Sequence, residues 1–423
     1  GSVYAVFESS REKGKLPFVC STIDAHVATE LAGRSTASSS GELLTFRLAL
    51  SCNAEYTTYF GGTVAGALAA MNATMTRVNG VFEKDLAIHM NMIDNTAIIF
   101  TNAASDPYTT MGQWNGQLQT TLTNVVGETN YDVGHMFGAS GGGGNAGCIG
   151  CVCVNGQKGS GITSPADAIP EGDNFDIDYV VHELGHQFGG NHSFSNSVEG
   201  TGVNVEPGSG STIMGYAGIT SQDVQPHSDD YFVYGNVKQI QDNMVGKTCP
   251  VRTTLTNVAP VVNAGADYTI PKSTPFILDG TATDANGDTL TYCWEQNDTA
   301  LTQSGANSIA FPTKVDGPLF RSLKPTSSPV RYMPALNSVL INKLSTTWES
   351  VSDVARTLHF TLTARDNAAK GFAQTNTETK IVTVSGTIGP FAVTSQNVAD
   401  SSWPLGSSQT ITWSVNGTNT LPG

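Results

Sequence analysis

Residues 182–192 read His182-Glu183-Leu184-Gly185-His186-Gln187-Phe188-Gly189-Gly190-Asn191-His192, and the spacing of these histidines governs the reading of the chain around them. His182 and His186, four apart, share one helix face with Cβ atoms about 5–6 Å apart, so both imidazoles can reach one metal ion. Glu183 stands one step round that helix, beside the metal without ligating it. A third imidazole can return only if the helix ends abruptly, and Gly189 offers a position tolerant of positive φ for that turn. His192 is then the third ligand. Three His ligands leave the fourth position of a zinc ion to water, the arrangement of a catalytic rather than a structural site. The metal lowers that water's pKa toward about 7, and Glu183 can take its proton and pass it to a departing amine. Ordinary helix and loop histidines would not bring three of the chain's eight His to this spacing. A structural zinc would not require the Glu.

Outward from the motif, residues 43 to about 250 alternate between strand and helix patterns. Leu43–Leu50 is a short apolar run, and Val64, Leu68, Met71, Met75 and Val78 then fall on one helical stripe. A strand is expected at Leu86–Ile93, a helix through Trp114, Leu118, Leu122 and Val125 stopped by Gly127, and strands at Tyr131–Phe137 and Cys148–Val154. Helical spacing returns at Val233, Val237, Ile240 and Met244. The sum is an α/β domain. Beyond Pro260 the pattern becomes alternating and turn-rich, as in Leu290, Tyr292 and Trp294 or Leu358, Phe360, Leu362 and Ala364, which is all-β sandwich patterning.

The motif, followed by Ser211-Thr212-Ile213-Met214-Gly215-Tyr216, resembles the metzincin clan of zinc endopeptidases, in which a Met-containing turn passes beneath the metal. Met214 matches that Met and would floor the site. Tyr216 matches the Tyr that astacin-like and serralysin-like members place near the metal, where a phenol can ligate zinc or donate to a developing oxyanion; its other reading is a half-buried turn aromatic. Within the clan the segment is most similar to the reprolysin (adamalysin-like) group of bacterial secreted proteases, through Tyr131–Phe137 and Ala146–Cys153. Ser193 stands where reprolysins usually have Asp. The resemblance implies that Gly147–Val154 is an antiparallel edge strand to which extended substrate adds. It also implies a side-chain pocket walled by Met214–Gln225 and a Cys153–Cys249 disulfide. The β-region resembles polycystic-kidney-disease-type or other immunoglobulin-like modules.

The seven cysteines leave at least one unpaired. Cys148-x2-Cys151-x-Cys153 lacks a second CxxC or a nearby His pair to complete a zinc knuckle, which favours disulfides of an exported protein. A Cys148–Cys151 bridge would be strained in extended chain. Cys20 lies upstream of the α/β region in an apparent pro-segment. Its thiolate would be able to take the zinc's fourth position and hold the enzyme latent, as propeptide cysteines do in matrix metalloproteinases and reprolysins, with cleavage near Arg34 as the activating step. A structural disulfide and an idle thiol are the alternatives. Asp284, Asn286 and Asp288 have calcium-loop spacing, but the rest of an EF-hand set is missing, which favours a plain turn. Asp173, Asp176 and Asp178, just before or inside the start of the active-site helix, read as N-terminal capping and dipole compensation.

Of 423 residues, only 13% are charged and 45 are Gly; Lys and Arg number 21 against 36 Asp and Glu, a net charge of −15. That balance disfavours nucleic acid or an anionic membrane surface as partner. No apolar run is long enough to cross a bilayer. Gly1-Ser2 reads as a cloning scar, so any signal peptide is expected to have been removed. The expectation is a multidomain chain: residues 1–40 a propeptide remnant and linker, 41–255 an α/β metzincin catalytic domain, 256–386 an all-β sandwich and 387–423 the start of a further β-domain. Its function is that of a secreted, monomeric zinc endopeptidase acting on proteins or peptides, with calcium as a second candidate ion. The competing class is an extracellular adhesin that retains a metzincin-like domain without catalysis.

Overall fold

The computed structural model describes residues 18–24, 38–398 and 402–421. The apolar run after Leu43 forms β1 (Glu42–Cys52), the centre of a six-stranded sheet. α1 (Ala54–Tyr59) and α2 (Val64–Leu86) follow, with Met71, Met75 and Val78 of the expected stripe buried and Val64 and Leu68 at its margin. The Thr63 side chain caps α2, and Ala87 ends it in the left-handed conformation, so the expected strand starts two residues late as β2 (Ile88–Met92).

α3 (Met111–Val125), β3 (Val133–Phe137), β4 (Gly143–Asn145) and β5 (Gly161–Ser164) complete the strand order β2-β1-β3-β5-β4. Its neighbours run parallel except β4, which lies antiparallel to β5 with Gly143 opposite Ser164. Parallel pairing requires crossovers, and α2 and α3 supply them. β6 (Val251–Thr254) returns antiparallel to the start of β1, Glu42 opposite Thr254. One face of the sheet buries Phe46, Leu48 and Leu50 with α2 and two helices described below; the other buries Ala49 and Met136 with Trp114, Leu118 and Leu122 of α3.

The edge strand of the sheet is β4, not Gly147–Val154. Residues 147–154 form turns, closed by a Cys148–Cys151 disulfide whose Cα atoms are 5.9 Å apart. Residues three apart in a strand would stand about 10 Å apart. The bridge fits because the chain there is not extended.

The helix carrying the motif starts as α4 (Asp173–Phe175), continues through a π-helical stretch (Asp176–Val181) and ends as α5 (His182–Phe188); α6 (Tyr234–Val245) packs behind it. No helix among the described residues is long and apolar enough to cross a membrane.

Several β-sheets follow. Their strands are β7 (Val261–Asn263), β8 (Tyr268–Pro271), β9 (Phe276–Asp279), β10 (Thr281–Thr283), β11 (Thr291–Gln296), β12 (Val330–Met333), β13 (Arg356–Arg365) and β14 (Thr375–Ser385). A four-stranded sheet, β11-β13-β14-β8, packs Trp294, Leu358, Phe360 and Leu362 against Phe276, Leu278 and Met333 of the β9–β12 pair. β15 (Ala392–Val393) and β16 (Trp413–Ser414) pair with each other, leaving Trp413 exposed.

Candidate metal centre

His182 and His186 stand one turn apart on α5, both fully buried, with Nε2 atoms 3.2 Å apart. His186 Nε2 lies 3.1 Å from His192 Nε2. Ligand atoms bound about 2.05 Å from one tetrahedral ion stand about 3.3 Å apart, so both of these spacings are those a zinc shell requires. Backbone carbonyls orient two of the rings: His182 Nδ1 faces Ile213 O and His186 Nδ1 faces Gly190 O, each at 2.7 Å. A proton on each Nδ1 leaves the Nε2 lone pairs for the metal. Burial drives His182 down to about 3 and His186 well below its usual range, so both rings are neutral. His192 Nδ1 faces two carboxylates, Asp24 at 3.2 Å and Glu199 at 3.4 Å.

Gly189 makes the abrupt end that the motif demanded. Its φ is 122°, and its N–H bonds Gly185 O and His186 O at 3.1 and 2.9 Å. The return loop is docked on α6, where Gln239 accepts from Asn191 N–H and Asn236 Nδ2 donates to Asn191 O.

Glu183 is fully buried beside the imidazoles. Its Oε2 accepts from the Thr22 hydroxyl at 3.0 Å, while Oε1 is buried without a partner. Burial raises its pKa to about 7. Gly144 on β4 faces it so closely that a Cβ there would lie 2.1 Å from Oε1.

Met214 is buried beneath α5, where a Cβ on Gly185 would meet its Sδ at 2.6 Å. The turn leading to it is tied by Glu206. Oε1 of Glu206 accepts from Ser211 N–H and Thr212 N–H at 2.9 and 3.2 Å; Oε2 accepts from the Ser193 and Thr212 hydroxyls at 2.5 and 2.6 Å. Ser193, the departure from the reprolysin pattern, thus reaches the Met turn through a second residue. The Tyr216 ring stacks on Phe194 at 4.2 Å and meets His192 edge-on at 4.7 Å, and its hydroxyl donates to Cys20 O at 3.3 Å.

Residues 18–24 lie across these groups. Cys20 Sγ is 3.6 Å from His186 Nε2, and the donor atoms of Cys20, His182, His186 and His192 all lie within 4.8 Å of one another. Burial first, then the charge of Glu183, holds the thiol up at about 11; a cation at the centre reverses that preference. The segment pairs in parallel with β4, Gly144 N–H donating to Val19 O at 3.1 Å and Ser21 N–H to Gly144 O at 2.9 Å. Thr22 also accepts from Ala146 N–H at 2.8 Å, and Phe18 stacks on Tyr179 at 4.1 Å. Arg34 lies outside the described residues.

Cys153 and Cys249 are bonded as the resemblance implied, and Cys20, Cys52 and Cys293 are free. The three Asp residues lie in the first turns of the helix, where their charge suits its dipole, but none caps it through a side-chain bond. Gly172 holds the cap position without a side-chain bond, while Asp173 pairs with Arg77, Asp176 accepts from Thr74 and Asp178 faces His227 at 2.8 Å. The carboxylates of Asp284 and Asp288 lie close to that of Asp366, and Asp284 Oδ1 accepts the Asn286 and Asp288 N–H groups as a plain turn would. Thr22, Gly144, Glu199 and Glu206 escaped the sequence reading. One trace was present for Glu206, the lone charged residue between Gly200 and Gly215.

The fold and the histidine cluster define a mixed α/β domain with a candidate metal centre beside β4. Residues 43–244, a little under half of the chain, match the family model described as metallo-peptidase family M12B, reprolysin-like. The match supports a reprolysin-like metalloprotease, with zinc as its metal and peptides as its substrate class. No curated protein matches the chain significantly.

Proposed function

We propose that the chain is a secreted zinc endopeptidase held inactive by its own leader. The convergence of the His182, His186 and His192 Nε2 atoms, with the Glu183 carboxylate alongside, carries this reading. The three nitrogens fit zinc in number, type and spacing. Bound there, zinc supplies a Lewis acid that polarises a peptide carbonyl and acidifies a water. Glu183 Oε1, buried and without a partner, takes that water's proton and returns it to the departing amine. The Tyr216 hydroxyl, once released from Cys20 O, donates to the oxygen that gains negative charge. An extended substrate pairs with Gly144 on the β4 edge, which gives tolerance of sequence, while the Met214–Gln225 stretch sets the side-chain preference.

The leader occupies each of these positions at once. Cys20, beside the three imidazoles, would supply a fourth ligand, Thr22 engages Glu183, Asp24 engages His192, and the backbone of Val19 and Ser21 takes the β4 edge. Cleavage near Arg34 starts its release. Two disulfides and the lack of a membrane-crossing helix among the described residues are compatible with work outside the cell. The division into residues 1–40, 41–255, 256–386 and 387–423, and the monomeric state, belong to the same reading; the separate cores of the α/β region and the β-sheets support the central boundary.

Chelation tests the metal's part. Dialysis of the leader-free chain against 1,10-phenanthroline abolishes casein cleavage, and one equivalent of zinc restores it. Cleavage that persists without metal contradicts the proposal.

A further inference from the structure

The stretch from Ser193 to Val233 carries Met214 and Tyr216 yet contains one isolated bridge, Phe194 with Glu206, and otherwise turns and loops. Loops of this length without secondary structure are uncommon in compact folds. Glu206 ties this one from within. The C-terminal β-region ties it from outside. Asn196 O and Asn204 O accept from Gly305 N–H and Ala300 N–H at 2.9 Å each, and Gly208 N–H donates to Ser308 O at 3.2 Å. The Trp348 ring lies against Gly208, where a Cβ would come within 2.6 Å of it. The Arg321 guanidinium donates to Gln225 Oε1, at the far end of the stretch that carries the Met turn.

The two regions are also joined by a buried ion pair. Arg365 Nε of β13 donates to Asp85 Oδ1 of α2 at 2.7 Å, with both side chains essentially inaccessible, and Asp85 Oδ2 accepts from Phe232 N–H at 2.7 Å. Removing the β-region would leave the Asp85 carboxylate buried without its cation, which is costly. A module that merely spaces an enzyme is joined through a smaller and more exchangeable contact.

We infer that the C-terminal β-region is a working wall of the peptidase site: Ser308 and Trp348 hold the His192-to-Gln225 stretch in place, and Arg321, through Gln225, positions the surface against which a substrate side chain docks. The substrate part rests on the peptidase reading; the positioning part does not.

The test uses the full chain with Trp348→Ala, Arg321→Ala and Arg321→Lys. Hydrogen exchange in peptides spanning residues 193–225 rises at least tenfold in Trp348→Ala and less in Arg321→Ala, with β1 unchanged and the Lys variant returned toward wild type. On the leader-free enzyme, two peptides differing only in the residue after the scissile bond are discriminated at least threefold less well by Arg321→Ala, chiefly through KM, and Arg321→Lys recovers the difference. Unchanged exchange in residues 193–225, or a rise that β1 shares equally, overturns the inference. If Trp348→Ala does not fold, the Arg321 pair decides. If the wild type cleaves neither peptide, the peptidase reading fails, and exchange alone decides the positioning claim.

Discussion

Gly144→Ala separates the metal from the base. Gly144 does not lie at positive φ, so the backbone accepts Ala, and the whole effect comes from the added methyl. That carbon would stand 2.1 Å from Glu183 Oε1 and 2.5 Å from its Cγ and Cδ. Relief requires the carboxylate or the β4 edge to move by about 1 Å, since overpacked cores give way rather than compress. A misplacement of about 1 Å at a reacting group is worth about 10²-fold in rate, or about 2.7 kcal/mol of transition-state stabilisation. The three atoms nearest the new methyl all belong to Glu183, so the strain falls first on the carboxylate and zinc binding is expected to survive. Steady-state cleavage of a quenched peptide by the leader-free variant, beside zinc content by mass spectrometry, reads both quantities. The expected result is kcat/KM down about a hundredfold with one zinc per chain. Activity within threefold of wild type would refute the placement of Glu183 against the β4 edge.

Three further outcomes are expected. Cys20→Ser gives the unprocessed chain at least tenfold more casein cleavage than unprocessed wild type; equal latency, with activity appearing only after leader removal, shows that the thiol is not the block. Glu206→Ala strands two backbone N–H groups and two hydroxyls in a buried site, each worth about 1–3 kcal/mol, so a loss of about 4 kcal/mol or more in urea unfolding is expected and a loss under 1 kcal/mol contradicts the tether. Burial raises Asp176 to about 7 from 3.8. Its folded state therefore binds a proton that the unfolded state has released between those values, and its contribution is full below pH 3.8 and lost as pH rises through 7. Asp176→Asn should flatten the fall in unfolding free energy from pH 4 to 8 by up to roughly 4 kcal/mol; a profile parallel to wild type contradicts it.

The candidate metal ligands were legible because they are local. His182 and His186 share one helix face, and Gly189 announces the turn that returns His192, so eleven consecutive residues carry the geometry. The helices of the α/β region were legible by periodicity, since Met71, Met75 and Val78 face one core. Cys148–Val154 misled because a small, apolar, cysteine-bearing run has strand composition; the Cys148–Cys151 bridge folds it into turns, and the edge strand falls instead on three residues of which two are Gly, where composition is silent. The rest required tertiary contact. Thr22 meets Glu183 across 161 positions and Arg365 meets Asp85 across 280, and no pattern within either neighbourhood foretells the partner. The Asp residues of the helix start carried the right charge for caps but were drawn to Arg77, Thr74 and His227 by the packing around them.

The central claim is that Glu183 moves the proton while three imidazoles hold zinc. Casein cleavage by the leader-free chain, wild type beside Glu183→Ala, with zinc measured in both, tests it most directly. The account predicts one zinc per chain in each protein and a loss of cleavage of at least a thousandfold in the variant. Cleavage retained in Glu183→Ala at the wild-type rate, with a contaminating protease excluded, would contradict it.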